Sequence, residues 1–211
     1  MQEPSNRRVL IIDDNESIHV DFRKIIGPGS SKPGVAVDSA AAELFGDSPA
    51  PVAAPLESEL DSALQGQEGL ARVREALLAE KPYALAFVDV RMPPGWNGVE
   101  TVQRLWEVDP NLQIVICTAY SDFSWSEVMQ VLGETDRLLI LKKPFDNVEM
   151  RQITSAMIAK WNLTKEACRA RQDLQEMIHE RTQELLEAKL PLPQQDASQG
   201  QRSDLEIGAR I

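Results

Sequence analysis

The chain has 211 residues, enough to bury one full core and still leave a linker, a helical arm and a tail. Its formal net charge of -11 argues against a surface that grips nucleic acid or anionic lipid, since both require clustered Lys and Arg. No stretch approaches the ~20 consecutive apolar residues of a membrane-spanning helix, Met1 to Arg8 lacks the apolar core of a signal peptide, and Cys117 and Cys168 stand in different elements with no CxxC pair, so a soluble cytoplasmic protein without membrane insertion is expected.

Val9-Leu10-Ile11-Ile12 is an unbroken apolar run closing on Asp13-Asp14, which predicts a strand buried on both faces of a parallel sheet. A helical pattern follows from Ser17 to Ile26. Residues 27–55 break the alternation with Gly27, Pro28, Gly29, Pro33, Gly34, Pro49, Pro51 and Pro55 and read as an inserted loop. Val37, Ala41, Leu44 and Phe45 have approximate helical spacing, so the insertion is either one short docked helix or an Ala/Pro-rich spacer. Leu56 to Leu60 is the expected second strand.

Further along, Gly66 to Lys81 sets Leu70, Val73 and Leu77 on one helical face, and Ala84 to Val88 predicts a strand that ends at Asp89. Gly98 to Val108 is helical in pattern, with Val99, Val102, Leu105 and Trp106 apolar. Ile114 to Cys117 ends at Thr118, Ser124 to Leu132 is a shorter helix, and Leu138 to Leu141 ends at Lys142-Lys143-Pro144. Strands and helices alternating in this way build right-handed βαβ units and a sheet covered on both sides. Ligands of such sheets bind beyond the carboxyl ends of the strands, where these polar residues converge.

From Asn147 to Leu190 there is no Gly or Pro. One helix of about 65 Å can run through the stretch, or Asn162 or Thr164 can cap a second one. Val148, Ile153, Met157 and Trp161 form the face expected to pack on the domain. Leu163, Ala167, Ala170, Leu174, Ile178, Arg181, Leu185, Ala188 and Leu192 then follow mostly 3,4 spacing, with one extra four-residue step from Leu174 to Ile178. This is a short coiled-coil seam with a stutter, and it predicts a homodimer through residues 163–190. The Gln/Ser/Gly-rich residues 191–211 read as a disordered tail.

Asp13, Asp14 and Asp89 fall at the ends of two strands that neighbour each other in a doubly wound sheet. Carboxylates this close repel, and a divalent cation holds them together at least cost; a few carboxylates, water and a carbonyl are the usual Mg²⁺ ligands. A remaining carboxylate oxygen can then attack phosphorus while Thr118 offers a hydroxyl and Lys143 an ammonium to the phosphoryl oxygens.

These residues resemble the receiver domain of two-component response regulators. The likeness is carried by Val9 to Asn15 (VLIIDDN), Phe87 to Pro93 (FVDVRMP) with Gly98, Thr118-Ala119, and Lys143-Pro144-Phe145, in that order, within residues 7–161. The resemblance implies a flavodoxin-like, doubly wound α/β fold with a five-stranded parallel sheet of order 2-1-3-4-5, extended by the C-terminal helix. It implies that Asp89 accepts a phosphoryl group from a sensor histidine kinase, that Asp14 binds Mg²⁺ directly and Asp13 mainly through water, and that the Arg91 carbonyl completes the metal site. Thr118 and Lys143 correspond to the phosphate-sensing pair, and the Lys143–Pro144 bond is expected to be cis.

Four departures stand against the family pattern: the insertion at 27–55, a Met92 to Gly98 loop (MPPGWNG) one residue longer than the common form, Ile140 in place of a switch aromatic, and the long cation Arg91 at the pocket rim. Tyr120 is a candidate substitute for that aromatic. Lys142 and His179 read as solvated residues, His19 as a surface or partly buried one, and Trp96, Trp106, Trp125 and Trp161 as core or rim. An aspartate-nucleophile phosphatase needs an acid two residues after the nucleophile, where this chain has Arg91, so only self-phosphorylation and slow self-dephosphorylation are expected. The alternative is the regulatory front end of a longer signalling enzyme, a histidine kinase or diguanylate cyclase, since segments like Glu180 to Leu185 (ERTQEL) connect receivers to such outputs. No P-loop, HExxH, GxSxG or helix-turn-helix pattern occurs.

Overall fold

The computed structural model describes residues 5–29, 57–119 and 125–189. Its elements run β1 (Arg8–Ile12), α1 (Glu16–Ile26), β2 (Glu59–Ala63), α2 (Gly66–Leu78), β3 (Leu85–Asp89), α3 (Gly98–Val108), β4 (Gln113–Thr118), α4 (Trp125–Leu132), β5 (Leu138–Lys142) and α5 (Asn147–Lys189). The strands form one parallel sheet of order β2-β1-β3-β4-β5, as expected. The chain divides into two units, Met1–Ala167 and Cys168–Ile211. The insertion helix, Tyr120 and the tail lie outside the described residues.

Side chains alternate across the strands, and each face of the sheet carries its own core. Leu10, Ile12, Ala86, Val88, Ile114, Ile116 and Leu138 pack with Leu70 and Val73 of α2, Val102 and Leu105 of α3 and Val128 of α4. On the other face, Val9, Ile11, Leu85, Phe87, Val115, Cys117 and Leu141 meet Phe22 and Ile26 of α1 and Met150, Met157, Ile158 and Trp161 of α5. The Phe22 and Phe87 rings stand edge to face, 4.7 Å between centroids. Such double-sided burial is why the strands read as continuous apolar runs.

Two expectations are corrected. The second strand is Glu59–Ala63 rather than Leu56 to Leu60, paired with β1 from Arg8↔Glu59 to Ile12↔Ala63. It lies at the sheet edge, where polar side chains are tolerated once they find partners: Asp61 accepts from Arg8 Nη2 and Tyr83 Oη, each at 2.7 Å, and Arg23 Nη2 donates to Ser62 Oγ at 3.0 Å. On α5, Val148 is exposed and Met150 takes the buried place. Of the two readings of the C-terminal stretch, the single helix is the one found: α5 is one helix, and neither Asn162 nor Thr164 caps a second. The Asn162 Nδ2 donates to the carbonyls of Ile158 and Asn6, its Oδ1 accepts from the Asn6 amide, and the Thr164 hydroxyl donates to the Lys160 carbonyl.

The buried His19 side chain corrects a further reading: it points inward, on the α1 face that also carries Phe22 and Ile26. The remaining bland readings hold where the structure describes them. Trp96 and Trp106 are half-buried rim residues beneath the Arg104 and Arg137 guanidiniums, Trp161 is buried, and His179 and Lys142 are exposed.

The Asp61 cluster gives the fold a defined acid response. Burial pushes the Asp61 carboxyl up, but hydrogen bonds from Tyr83 and Arg8 outweigh it and leave the group below its ordinary 3.8. A depressed carboxyl contributes stability that is complete above the ordinary value and lost as pH falls through the folded one. Asp61→Asn should therefore cost most stability at neutral pH, with the gap to wild type closing below pH 3.8. Urea unfolding across pH measures this; a pH-independent gap would contradict it.

Candidate functional site

β1, β3, β4 and β5 deliver the residues singled out in the sequence to the carboxyl edge of the sheet. Asp13 follows β1 directly and is 3% exposed, with its amide donating to the Ala63 carbonyl of β2 at 3.1 Å. Its Oδ1 accepts from the Asn15 amide at 2.9 Å, and Asn15 in turn caps α1 by accepting from the Ser17 amide and hydroxyl. The chain thus turns sharply out of β1, and the turn fixes the Asp13 carboxylate.

Asp89 is the last residue of β3 and is half-buried. Its Oδ2 accepts from the Arg91 amide at 2.8 Å. The Lys143 ammonium, which follows β5, closes the site by donating to Asp13 Oδ2 at 2.7 Å and Asp89 Oδ1 at 2.6 Å. Residues 130 and 54 positions apart in the chain therefore share one cation. The Lys143 amide donates to the Thr118 carbonyl at 2.8 Å, which ties the ends of β4 and β5 together. Thr118 itself is half-buried at the end of β4 and directs its hydroxyl to the Ala119 carbonyl at 3.0 Å. The Lys143–Pro144 bond is cis, as is Pro93–Pro94.

Burial raises the Asp89 carboxyl above its ordinary value, against the opposing pull of Lys143; the adjacent Asp13 charge adds to the rise. For Lys143, burial disfavours the charge, but the hydrogen bonds and charges of Asp13 and Asp89 outweigh it and hold the ammonium above its ordinary value. The lysine stays a cation, and two acids divide it between them. The neighbouring Cys117 thiol is pushed up by complete burial.

The three acids expected to cluster are not gathered as a set. Asp13 and Asp89 converge on Lys143, while Asp14 is exposed, and among the described residues no group of three His, Cys, Asp or Glu side chains is drawn together as a metal cage. The donor chemistry nevertheless fits Mg²⁺, which takes one or two carboxylates and keeps several waters. Two carboxylate oxygens already turned toward one cation, with an exposed acid adjacent in the chain, supply hard oxygen donors only.

Two supporting residues escaped the sequence reading. His19 Nε2 bonds the Asp13 carbonyl at 2.8 Å from beneath the site. Its spacing of three and seven residues from Phe22 and Ile26 would have placed it on the buried face of α1. Gly98, noted only as part of the motif, has a geometric reason to be glycine: a Cβ there would lie 2.4 Å from the Asp89 carbonyl oxygen. Ile140 is half-buried and packs against the α2–α4 core. Arg91 is exposed at the rim.

Gly98→Ala should force the β3 end and the start of α3 apart, at a cost of about 1–3 kcal/mol for overpacking against backbone. Chemical denaturation measures the loss, and stability equal to wild type would show that the close approach is not constraining.

Residues 57–156 match the response regulator receiver domain family. That match begins after β1 and α1, which the insertion separates from the rest in sequence but which the sheet restores by pairing β1 between β2 and β3. The chain is 34% identical over 86 residues to the photosynthetic apparatus regulatory protein RegA of Cereibacter sphaeroides, covering 41% of this chain and 43% of that one. It is 31% identical over 87 residues to sporulation initiation phosphotransferase F of Bacillus subtilis, covering 41% and 65%. The chain thus spans less than half of the RegA relative's length and about two thirds of the second. Among solved structures it resembles an adenylate cyclase from Rhodopirellula baltica (TM-score 0.54, 20% identity, 81% of this chain and 98% of that one). A CheY-like receiver domain protein from Methanospirillum hungatei gives a TM-score of 0.51 at 18% identity, over 74% and 97%. Family match and strand order agree: residues 57–156 form a response regulator receiver domain, and β1 completes its sheet between β2 and β3.

Proposed function

We propose that the domain accepts a phosphoryl group on Asp89 from a sensor histidine kinase and passes the signal on through α5. The observation that carries this reading is the sharing of the Lys143 ammonium between Asp13 and Asp89. A half-buried carboxylate held in one orientation by a backbone amide and a lysine is a preorganised nucleophile. An Asp89 oxygen forms the bond to phosphorus as the P–N bond to the kinase histidine breaks, and the electron pair stays on the imidazole. The product is a mixed anhydride whose oxygens Lys143 is placed to meet, since the same ammonium already bonds Asp89.

Asp13, Asp14 and Asp89, with the Arg91 carbonyl, would hold Mg²⁺, which supplies charge neutralisation for the incoming phosphoryl group. Thr118 would turn its hydroxyl from the Ala119 carbonyl to the phosphoryl oxygens. Such a change shifts a population of conformers only because the phosphoryl group interacts better with one of them. Ile140, held in the α2–α4 core, takes the place where the usual switch aromatic would rotate.

Downstream, α5 would pair with a second copy through residues 163–190 and act on an output protein or domain. Its apolar seam residues Leu163, Leu174, Ile178 and Leu185 are exposed. The same arm is compatible with a regulatory front end of a longer signalling enzyme, where Glu180 to Leu185 would lead toward the output. Among the described residues no helix is long and apolar enough to cross a membrane, in keeping with a cytoplasmic module.

Incubating the full chain with acetyl phosphate and Mg²⁺ should add one phosphoryl group by intact mass. Asp89→Asn should remove the adduct entirely, and Lys143→Ala, which keeps all three acids, should still give some adduct with Mg²⁺ while impairing the response of oligomeric state. An adduct that persists in Asp89→Asn would place the acceptor elsewhere.

A further inference from the structure

Within the second unit, residues 168–189 form helix, and every side chain from 168 to 186 is exposed. Leu174, Met177, Ile178 and Leu185 are 52–65% exposed. A helix in a folded protein draws most of its stability from packing an apolar face rather than from helix propensity. At 3.6 residues per turn, Leu174, Met177, Ile178, Arg181 and Leu185 fall within about 60° of one line along the helix. Arg181, the polar member of that stripe, is held by Glu184 of its own helix at 2.7 Å.

The two flanks of the stripe differ in charge. About 80 to 120° to one side lie Asp173, Glu180 and Glu184, all acidic; about 60 to 120° to the other lie Cys168, Arg171, Gln175, Thr182 and Leu186, with no acid among them. When two copies pair in parallel, each flank runs beside the partner's opposite flank. When they pair antiparallel, each flank runs beside its own kind. An antiparallel pair would set three acids along three acids, whereas a parallel pair sets them along Arg171 and neutral residues.

We propose that the arm is a parallel, in-register pairing surface for a second copy of this chain, with orientation set by this one-sided acidic flank. The proposal rests on the dimer reading above and adds its geometry. Parallel pairing places Leu174 beside its counterpart and Leu185 beside its counterpart, and it brings the two Lys189 backbones to the same end. The Arg181 layers then also coincide, each guanidinium retaining its own Glu184, so the seam carries one polar layer that disfavours a slipped register.

The test uses the full chain in a Cys168→Ser background, with Leu174→Cys or Leu185→Cys introduced singly and joined by a short bismaleimide, while sedimentation reports oligomeric state. Parallel pairing gives covalent dimers at both positions separately. A dimer that cross-links at neither position, or only when the two variants are mixed, overturns the parallel register and leaves the dimer reading standing. A monomer at high concentration, with or without beryllofluoride, overturns both. Replacing Asp173, Glu180 and Glu184 with Gln supplies the second measurement: it should reduce the preference for same-site over mixed-site cross-links, and an unchanged preference means the acidic flank does not set the orientation.

Discussion

The Lys143 ammonium, 2.7 Å from Asp13 Oδ2 and 2.6 Å from Asp89 Oδ1, ties the ends of three strands at one point. Two acids turned toward one point repel unless a cation lies between them, and a partly buried lysine keeps its charge more readily with acids beside it. Each group makes the others tolerable. Parallel order brings β1 and β3 side by side, with β4 separating them from β5, so only a side chain as long as lysine can close the gap.

The surrounding structure serves to keep those three groups in place. Asn15 turns the chain after β1 and restrains Asp13, His19 holds the Asp13 carbonyl from below, and the Arg91 amide fixes Asp89. Gly98 allows the start of α3 to approach the Asp89 backbone closely. None of these groups needs to react. A carboxylate already oriented by its neighbours loses less freedom when the reacting group arrives, which is how positioning lowers a barrier.

The insertion separates β1 and α1 from the other elements in sequence without removing them from the sheet. β1 pairs on both sides, with β2 and β3, and its residues Val9 to Ile12 are almost wholly buried. Loop-closure entropy rises only slowly with length, so a long excursion between α1 and β2 is compatible with an intact core. It also lies at a distance in sequence from the turns that carry Asp13, Asp89 and Lys143.

Much of the molecule was legible in the sequence because its signals are local. Buried parallel strands must be continuous apolar runs, so β1, β3, β4 and β5 showed themselves, and the polar residue ending each one marked the carboxyl edge. The edge strand β2 did not, because Asp61 and Ser62 are stabilised by Arg8, Tyr83 and Arg23 from elsewhere in the fold, and no local pattern encodes those partners. Which acids would converge was likewise a tertiary matter: Asp13 and Asp14 are adjacent in the chain, yet successive residues leave a strand in different directions, and only Asp13 reaches Lys143. The residue types of the site, their order and the sheet that bears them were determined by sequence alone; the sharing of one ammonium between two acids, the inward histidine and the exposed Asp14 were decided by packing, because each depends on groups brought together from distant parts of the chain.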